Sequence, residues 1–241
     1  MTKPHFTTTA ALALAVTTLA LGACSGQGKI DRKALVTRNN PHVTQVNPLH
    51  SLNLGNGAFT ITLDATGLQT FPEYYKDGLS LGTYSQWGWH SFPDTEGYAI
   101  EETLEDHPLP GHPHGIYSVQ EGLTLGGRGK AAAEWVRSNP HRMHLGNIGF
   151  AGMSPEQVSD IDQTLDMWDG VLHSRFNWGG TPVEVETVSG GDGQDLYAAH
   201  ISSDKALPVV IRFPYPTGQH SDDASDWNAD SRHSTEFVSH D

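Results

Sequence analysis

Residues 84–93 read Tyr-Ser-Gln-Trp-Gly-Trp-His-Ser-Phe-Pro and combine flat aromatic rings with amide and imidazole groups. Two of the six tryptophans in the chain lie here, as Trp87 and Trp89. An indole ring can cover the C–H face of a sugar while neighbouring side chains, here Gln86 and His90, reach its hydroxyl groups. The stretch therefore predicts a carbohydrate-binding surface. The alternative is that these aromatic residues belong to the core or to a corner of a β domain.

Histidines that lie close together in a sequence are candidates for metal binding. One group lies in a proline-rich segment and the other is a close pair; they are His107, His112 and His114, and His141 and His144. Zinc sites hold three or four ligands rigidly at recognisable spacings, and neither group has such a spacing. We expect loop histidines without a metal, and no cofactor.

Acidic residues cluster just after the aromatic stretch. They are Asp94, Glu96, Glu101, Glu102, Glu105 and Asp106. Glycoside hydrolysis needs two carboxyl groups, about 5–5.5 Å apart for retention and about 6.5–9.5 Å apart for inversion. No neighbouring pattern marks any of these residues as the acid or the base. We expect a solvated surface, and we assign no catalytic residue.

Three other patterns lack residues that their chemistry requires. The acidic run from Asp222 to Asp230 has neither the central Gly nor the distal Glu of a calcium loop. No Gly-x-Ser-x-Gly motif is present for a serine nucleophile. Residues 126–130, Gly-Gly-Arg-Gly-Lys, lack the spacing of a phosphate-binding loop, and we expect a flexible loop there.

The N-terminus has the pattern of an export signal. Lys3 precedes an apolar run at residues 10–21, which is too short to span a bilayer as a permanent helix. The sequence Leu21-Gly22-Ala23-Cys24 that follows resembles a bacterial lipobox, and Cys24 is the only cysteine. The resemblance implies a signal peptide over residues 1–23, lipidation of Cys24 and a polar tether over residues 24–33. The protein would then be a membrane-anchored lipoprotein, facing the periplasm or lying at the outer membrane or cell surface.

The charge of the chain limits its partners. With 28 acidic and 14 basic residues, the formal net charge is −14. Because binding to phosphates needs a concentrated basic surface, this balance argues against nucleic acid as a partner. It suits an exported protein that binds neutral ligands.

The remaining pattern is that of strands and turns. Residues 58–64 alternate, with Phe59, Ile61 and Leu63 on one face, and two longer alternating runs at 171–178 and 181–188 flank Gly179-Gly180. We predict a mainly β fold, an antiparallel β-sandwich over residues 34–216 with long loops and one or two short helices. Residues 217–241 are polar and predict a truncated or disordered tail.

Several segments together resemble the six-hairpin glycosidases. Residues 53–59, Asn-Leu-Gly-Asn-Gly-Ala-Phe, are similar to the first strand of their N-terminal β-supersandwich, and residues 165–171, 174–176 and 183–187 are similar to a hairpin of that sandwich. Residues 86–90 and 139–142 resemble segments of an uncharacterised bacterial branch. In this family the catalytic carboxylates lie on a C-terminal (α/α)₆ barrel, and no stretch here supplies even three long helices.

Two functions follow as expectations. The resemblance implies the sandwich domain of an exported glycoside hydrolase, which acts on carbohydrate only together with a C-terminal (α/α)₆ domain that this chain lacks. The alternative is a surface lipoprotein that binds glycans without cleaving them. In both, Gln86, Trp87, Trp89 and His90 are the candidate carbohydrate-binding residues, and a structural lipoprotein without a ligand is a third reading.

Overall fold

The computed structural model describes residues 29–119, 126–191, 193–217 and 225–238. The chain divides into two compact units, residues 1–40 and 41–241. In the first, helix α1 (Arg32–Thr37) begins after Asp31, whose carboxylate accepts a hydrogen bond from the Ala34 N–H at 3.0 Å. The predicted signal peptide and Cys24 lie outside the described residues. No helix within the described ranges is both long and apolar enough to cross a membrane.

The second unit is built mainly from short strands. In chain order they are β1 (His42–Val43), β2 (Leu52–Gly55), β3 (Phe59–Leu63), β4 (Thr83–Ser85), β5 (Trp89–His90), β6 (Leu104–Asp106), β7 (Ile116–Ser118), β8 (His141–Arg142), β9 (Asn147–Phe150), β10 (Val158–Asp166), β11 (Val171–Trp178), β12 (Thr181–Ser189), β13 (Tyr197–Ser203), β14 (Val209–Arg212), β15 (Tyr215–Pro216) and β16 (Ser225–Asp226). Two helices accompany them, α2 (Pro72–Tyr75) and α3 (Gly127–Ser138), with 3₁₀ turns at Ile100–Thr103, Pro155–Gln157 and Asp230–Arg232.

The largest sheet has the order β1-β10-β11-β12-β13, and every neighbouring pair in it is antiparallel. The predicted hairpin is confirmed as β11 and β12. Gly179 and Gly180, which join these strands, have φ values of 55° and 80° that favour glycine. The prediction of a mainly β, antiparallel, sandwich-like fold is therefore confirmed.

A second sheet, β2-β3-β4, packs on the first. Strand β3 alternates as predicted, and its buried side chains Phe59, Ile61 and Leu63 contact Leu172 of β11. A larger cluster lies beside this one and includes Phe150, Phe176 and other apolar residues of the large sheet and the loops. Burial of these side chains supplies the main driving force for joining the two sheets, at roughly 25 cal/mol for each Å² of apolar surface.

Residues 126–130 are not the predicted loop, because helix α3 begins at Gly127. The Arg128 guanidinium donates to Glu102 Oε2 at 2.6 Å and lies 5.0 Å from the centre of the Tyr98 ring. These contacts come from residues distant in sequence, and they outweigh the low helix propensity of the local glycines.

Part of the polar segment after residue 217 is described by the structure. Strand β16 pairs with β15, so that Tyr215 lies opposite Asp226 and Pro216 opposite Ser225. Strand β16 therefore runs antiparallel to β15. The Trp227 ring, which follows β16, contacts the His144 ring edge-on at a centroid distance of 5.0 Å.

A buried carboxylate organises the loop that follows β3. Both oxygens of Asp64 accept hydrogen bonds, Oδ1 from the Thr66 N–H and hydroxyl and Oδ2 from the N–H groups of Thr70 and Phe71, at 2.5–2.9 Å. Burial raises the pKa of Asp64 to about 6, and the four hydrogen bonds oppose that shift. The carboxyl group is therefore ionised at neutral pH.

We predict that Asp64→Asn lowers the free energy of unfolding at pH 7 by about 2–3 kcal/mol, because the new amide N–H₂ would face backbone N–H donors in a buried position. Urea denaturation measures the change. Asp94→Asn is the matched control, since exposed Asp94 accepts from Glu96 and Gly97 through Oδ1 alone, which an Asn oxygen can replace. A loss no larger than that of the control would show that Asp64 does not hold the loop.

Candidate functional site: an exposed tryptophan surface

The predicted sugar-binding residues lie in the turn between β4 and β5 and in β5 itself. The Gln86 N–H donates to Ala58 O at 2.7 Å and the Gly88 N–H to Ser85 O at 3.1 Å, which fixes the turn. Trp87 is 60% exposed and Trp89 45% exposed, so neither indole is a core residue. Gln86 is also exposed, whereas Gly88 between the indoles is buried.

Strand β5 pairs with β8, which comes from a distant part of the chain. Trp89 lies opposite Arg142 and His90 opposite His141, and the Met143 N–H donates to Gly88 O at 2.7 Å. The pairing joins residues 86–90 and 139–142, the two segments that sequence analysis had noted separately. No sequence period could have found it, because each strand has only two residues.

Arg142 is a member of this site that the sequence did not identify. Its guanidinium lies over the Trp89 ring, 4.6 Å from the centroid. One face of Trp89 is therefore occupied by a cation, an arrangement worth about 0.5–1 kcal/mol at an exposed position. Trp87 has no such cover among the described residues, and it offers the more open ring.

A compact group of rings supports β5 from below. His90 lies 4.7 Å from Phe92 and 5.0 Å from His141 between ring centroids, and Phe92 stacks on His141 at 5.7 Å. His141 is only 3% exposed, and its Nδ1–H donates to Ser138 O at 3.0 Å. Asn139, which precedes a cis proline, accepts from the Phe92 N–H at 2.8 Å.

His90 is less exposed than the two indoles. His90 is only partly exposed, and its Nδ1 is buried without a hydrogen-bond partner among the described residues. The His90 ring packs on Phe92 and His141, so it is less accessible to a ligand than the two indoles. Phe92, 40% exposed, is a further aromatic ring at the same place. We call Trp87, Trp89 and Phe92, with the adjoining Gln86 and Arg142, the tryptophan surface.

The other candidate groups have local structural partners. His107 lies 3.3 Å from Glu105 and His114 lies 2.9 Å from Asp106, both in the β6–β7 hairpin. The hydrogen bond from His114 lowers the pKa of Asp106. Within the described ranges, no three His, Cys, Asp or Glu side chains come together in a way that could hold a metal ion.

His144 sits where the tryptophan surface meets the rest of the unit. Its Nε2–H donates to Leu81 O at 3.0 Å, and its Nδ1 accepts from the Gly146 N–H at 3.1 Å. Its ring also contacts Tyr84 at 5.3 Å. Desolvation lowers the pKa of His144, and the neutral ring satisfies both of its neighbours.

Comparison with known proteins gives no relative. No protein-family model matches the chain, and neither the curated proteins nor the solved structures contain a match. The resemblance to the six-hairpin glycosidases stays a prediction.

We predict that His144 makes the protein less stable as the pH falls below about 6.5, the pKa of an unperturbed histidine. The unfolded chain then takes up a proton that the folded chain resists, because a protonated Nδ1 would face the Gly146 N–H. The measurement is the free energy of unfolding of wild type minus that of His144→Gln, from urea denaturation at pH 8 to 5. This difference in free energy should become smaller as the pH is lowered from 8 to 5. Parallel pH profiles of the two proteins would contradict the role of His144.

Proposed function

We propose that this protein binds carbohydrate on the tryptophan surface and does not cleave it. The observation that carries the proposal is the exposure of Trp87 and Trp89 on one short, hydrogen-bonded segment beside polar side chains. Exposed indoles held by backbone hydrogen bonds lose little conformational freedom on binding, which favours weak, extended contacts with sugar rings.

The arrangement assigns different roles to the two indoles. Trp87 presents an open ring that can stack on the C–H face of a pyranose, and the Gln86 amide beside it can bond a hydroxyl group. Trp89 carries Arg142 on one face, so a sugar would use its other face or its edge. The Arg142 N–H groups then add donors next to the bound ring.

We predict that Trp87→Ala and Trp89→Ala each weaken glycan binding about tenfold or more, since each removes one stacking ring worth about 1.4 kcal/mol or more. A glycan array identifies ligands for the full chain in a detergent without a sugar headgroup, and calorimetry measures their affinity.

Trp168→Ala is the matched control, because Trp168 is 45% exposed like Trp89 but lies in the β10–β11 turn. Loss of binding in this control as well, or unchanged affinity in Trp87→Ala and Trp89→Ala, would show that the tryptophan surface is not the binding site.

The proposed location is the cell envelope, through a lipid on Cys24. The support is the Leu-Gly-Ala-Cys sequence after the apolar run and the lack of any other cysteine. Each buried CH₂ of an acyl chain adds about 0.8 kcal/mol to anchoring.

We predict that Cys24→Ser moves the protein from the detergent phase to the aqueous phase in a detergent-partition experiment. Mass spectrometry of the N-terminal peptide gives an independent readout. An unmodified Cys24 in the wild-type protein would refute the anchor.

A second candidate is the sandwich domain of an exported glycoside hydrolase. The pairing of β5 with β8 favours it, because it brings together two segments that carry the resemblance to six-hairpin glycosidases. The tryptophan surface would then border a substrate cleft whose catalytic carboxylates belong to a helical barrel outside these 241 residues. A coding sequence that continues in frame into helical hairpins would support this candidate, whereas an in-frame stop codon after Asp241 would favour the first.

A further inference from the structure

A second concavity lies between β14 and the segment after β16, where the Trp227 ring contacts His144. It has a volume of about 570 Å³, within the usual range for small-molecule sites. Its lining residues are Ile211, Arg212, Phe213, Trp227, Asn228, His233 and Thr235. We call it the Arg212 site.

Two contacts between an arginine and an aromatic ring shape this region. The Arg212 guanidinium lies 5.3 Å from the centre of the Trp227 ring, and the Arg232 guanidinium lies 3.7 Å from the centre of the Tyr215 ring. Trp227 is also held by the edge-on contact with His144. Because β15 pairs with β16, the turned-back chain brings both stacks to the same end of the unit.

The Arg212 guanidinium makes no ion pair or hydrogen bond with any described residue, although the Arg212 backbone belongs to the ladder between β14 and β9. A guanidinium that lies over an aromatic ring can still donate through the N–H groups at its edge. That planar fork matches the two oxygens of a carboxylate, and such bidentate pairs are stronger than neutral hydrogen bonds.

The local charge favours an anion although the chain as a whole is acidic. The net charge is −14, yet the described residues that line the Arg212 site include an arginine and a histidine and no Asp or Glu. Glu73 and Asp226 line an adjoining concavity, which Arg212 also borders. Charges farther away than about 8–10 Å are largely screened at physiological ionic strength, so a ligand in this concavity is affected mainly by the groups nearest to it.

The rest of the lining suits a sugar ring. The apolar rings of Trp227 and Phe213 can cover C–H groups, and the side chains of Asn228, Thr235 and His233 can bond hydroxyl groups. We propose that the Arg212 site binds a hexuronate, with the sugar carboxylate on the Arg212 fork and the ring against Trp227. This is a second carbohydrate site, separate from the tryptophan surface and with a different charge preference.

The test measures binding of glucuronate and galacturonate, with glucose, galactose and acetate as probes, to the full chain by calorimetry at pH 7. We expect saturable uronate binding, at least tenfold weaker binding of the neutral sugars and no competition by equimolar acetate. Arg212→Gln should weaken uronate binding at least tenfold, and Arg212→Lys should retain part of it because charge remains without the fork. Arg175→Gln is the control, since this exposed arginine pairs with Glu184 on the large sheet and its loss changes net charge equally.

The proposal would be overturned by the absence of saturable uronate binding or by equal affinity for glucose and glucuronate. Displacement of the uronate by equimolar acetate, or an equal effect of Arg212→Gln and Arg175→Gln, would also overturn it. Circular dichroism and thermal unfolding establish that the variants are folded. Uronate binding that disappears in Trp87→Ala but persists in Arg212→Gln would place the uronate on the tryptophan surface and also overturn the proposal.

Discussion

The buried Asp64 carboxylate fixes the loop that links β3 of the small sheet to the large sheet, beside the apolar core that drives their packing. Its four hydrogen bonds close the loop after β3, and the same loop is bonded to the large sheet through backbone oxygens: Gln163 Nε2 donates to Asp64 O and the Thr187 hydroxyl to Gly67 O, both at 2.7 Å. A Cβ atom at Gly67, where φ is +78°, would lie 2.7 Å from Ser174 Oγ. Since an unsatisfied buried polar group costs about 1–3 kcal/mol, few other positions of the loop satisfy the network.

The tryptophan surface is positioned by the short strands that connect it to the sheets. Strand β4 pairs with β3, so the loop that leaves β4 has a fixed start, and the two-residue ladder between β5 and β8 fixes its end. Next to the indoles, the rings of Phe92, His90 and His141 pack on one another. The proposed binding surface is thus exposed but built on a hydrogen-bonded backbone, an arrangement that lowers the entropy cost of binding.

The two proposed sites contain the same kinds of side chain but differ in where the arginine charge lies. Both set aromatic rings beside amides and an arginine stacked on an indole. On the tryptophan surface the open ring is Trp87, away from the cation, which favours neutral sugars. At the Arg212 site the cation lies at the wall of the concavity itself, which favours a carboxylate.

The sequence by itself determined the class of fold and the elements with a local signal. Strand β3 and the β11–β12 hairpin were predicted because alternation and a Gly-Gly turn depend on neighbouring residues only, and the indoles were recognised by their type. Tertiary structure alone decided that Arg142 stacks on Trp89, that α3 begins at Gly127 and that Trp227 lies beside Arg212. Those features depend on partners distant in the chain, and two-residue strands such as β5, β8 and β16 are too short to carry a period. Their pairing is specified by the packing around them, which no local pattern records.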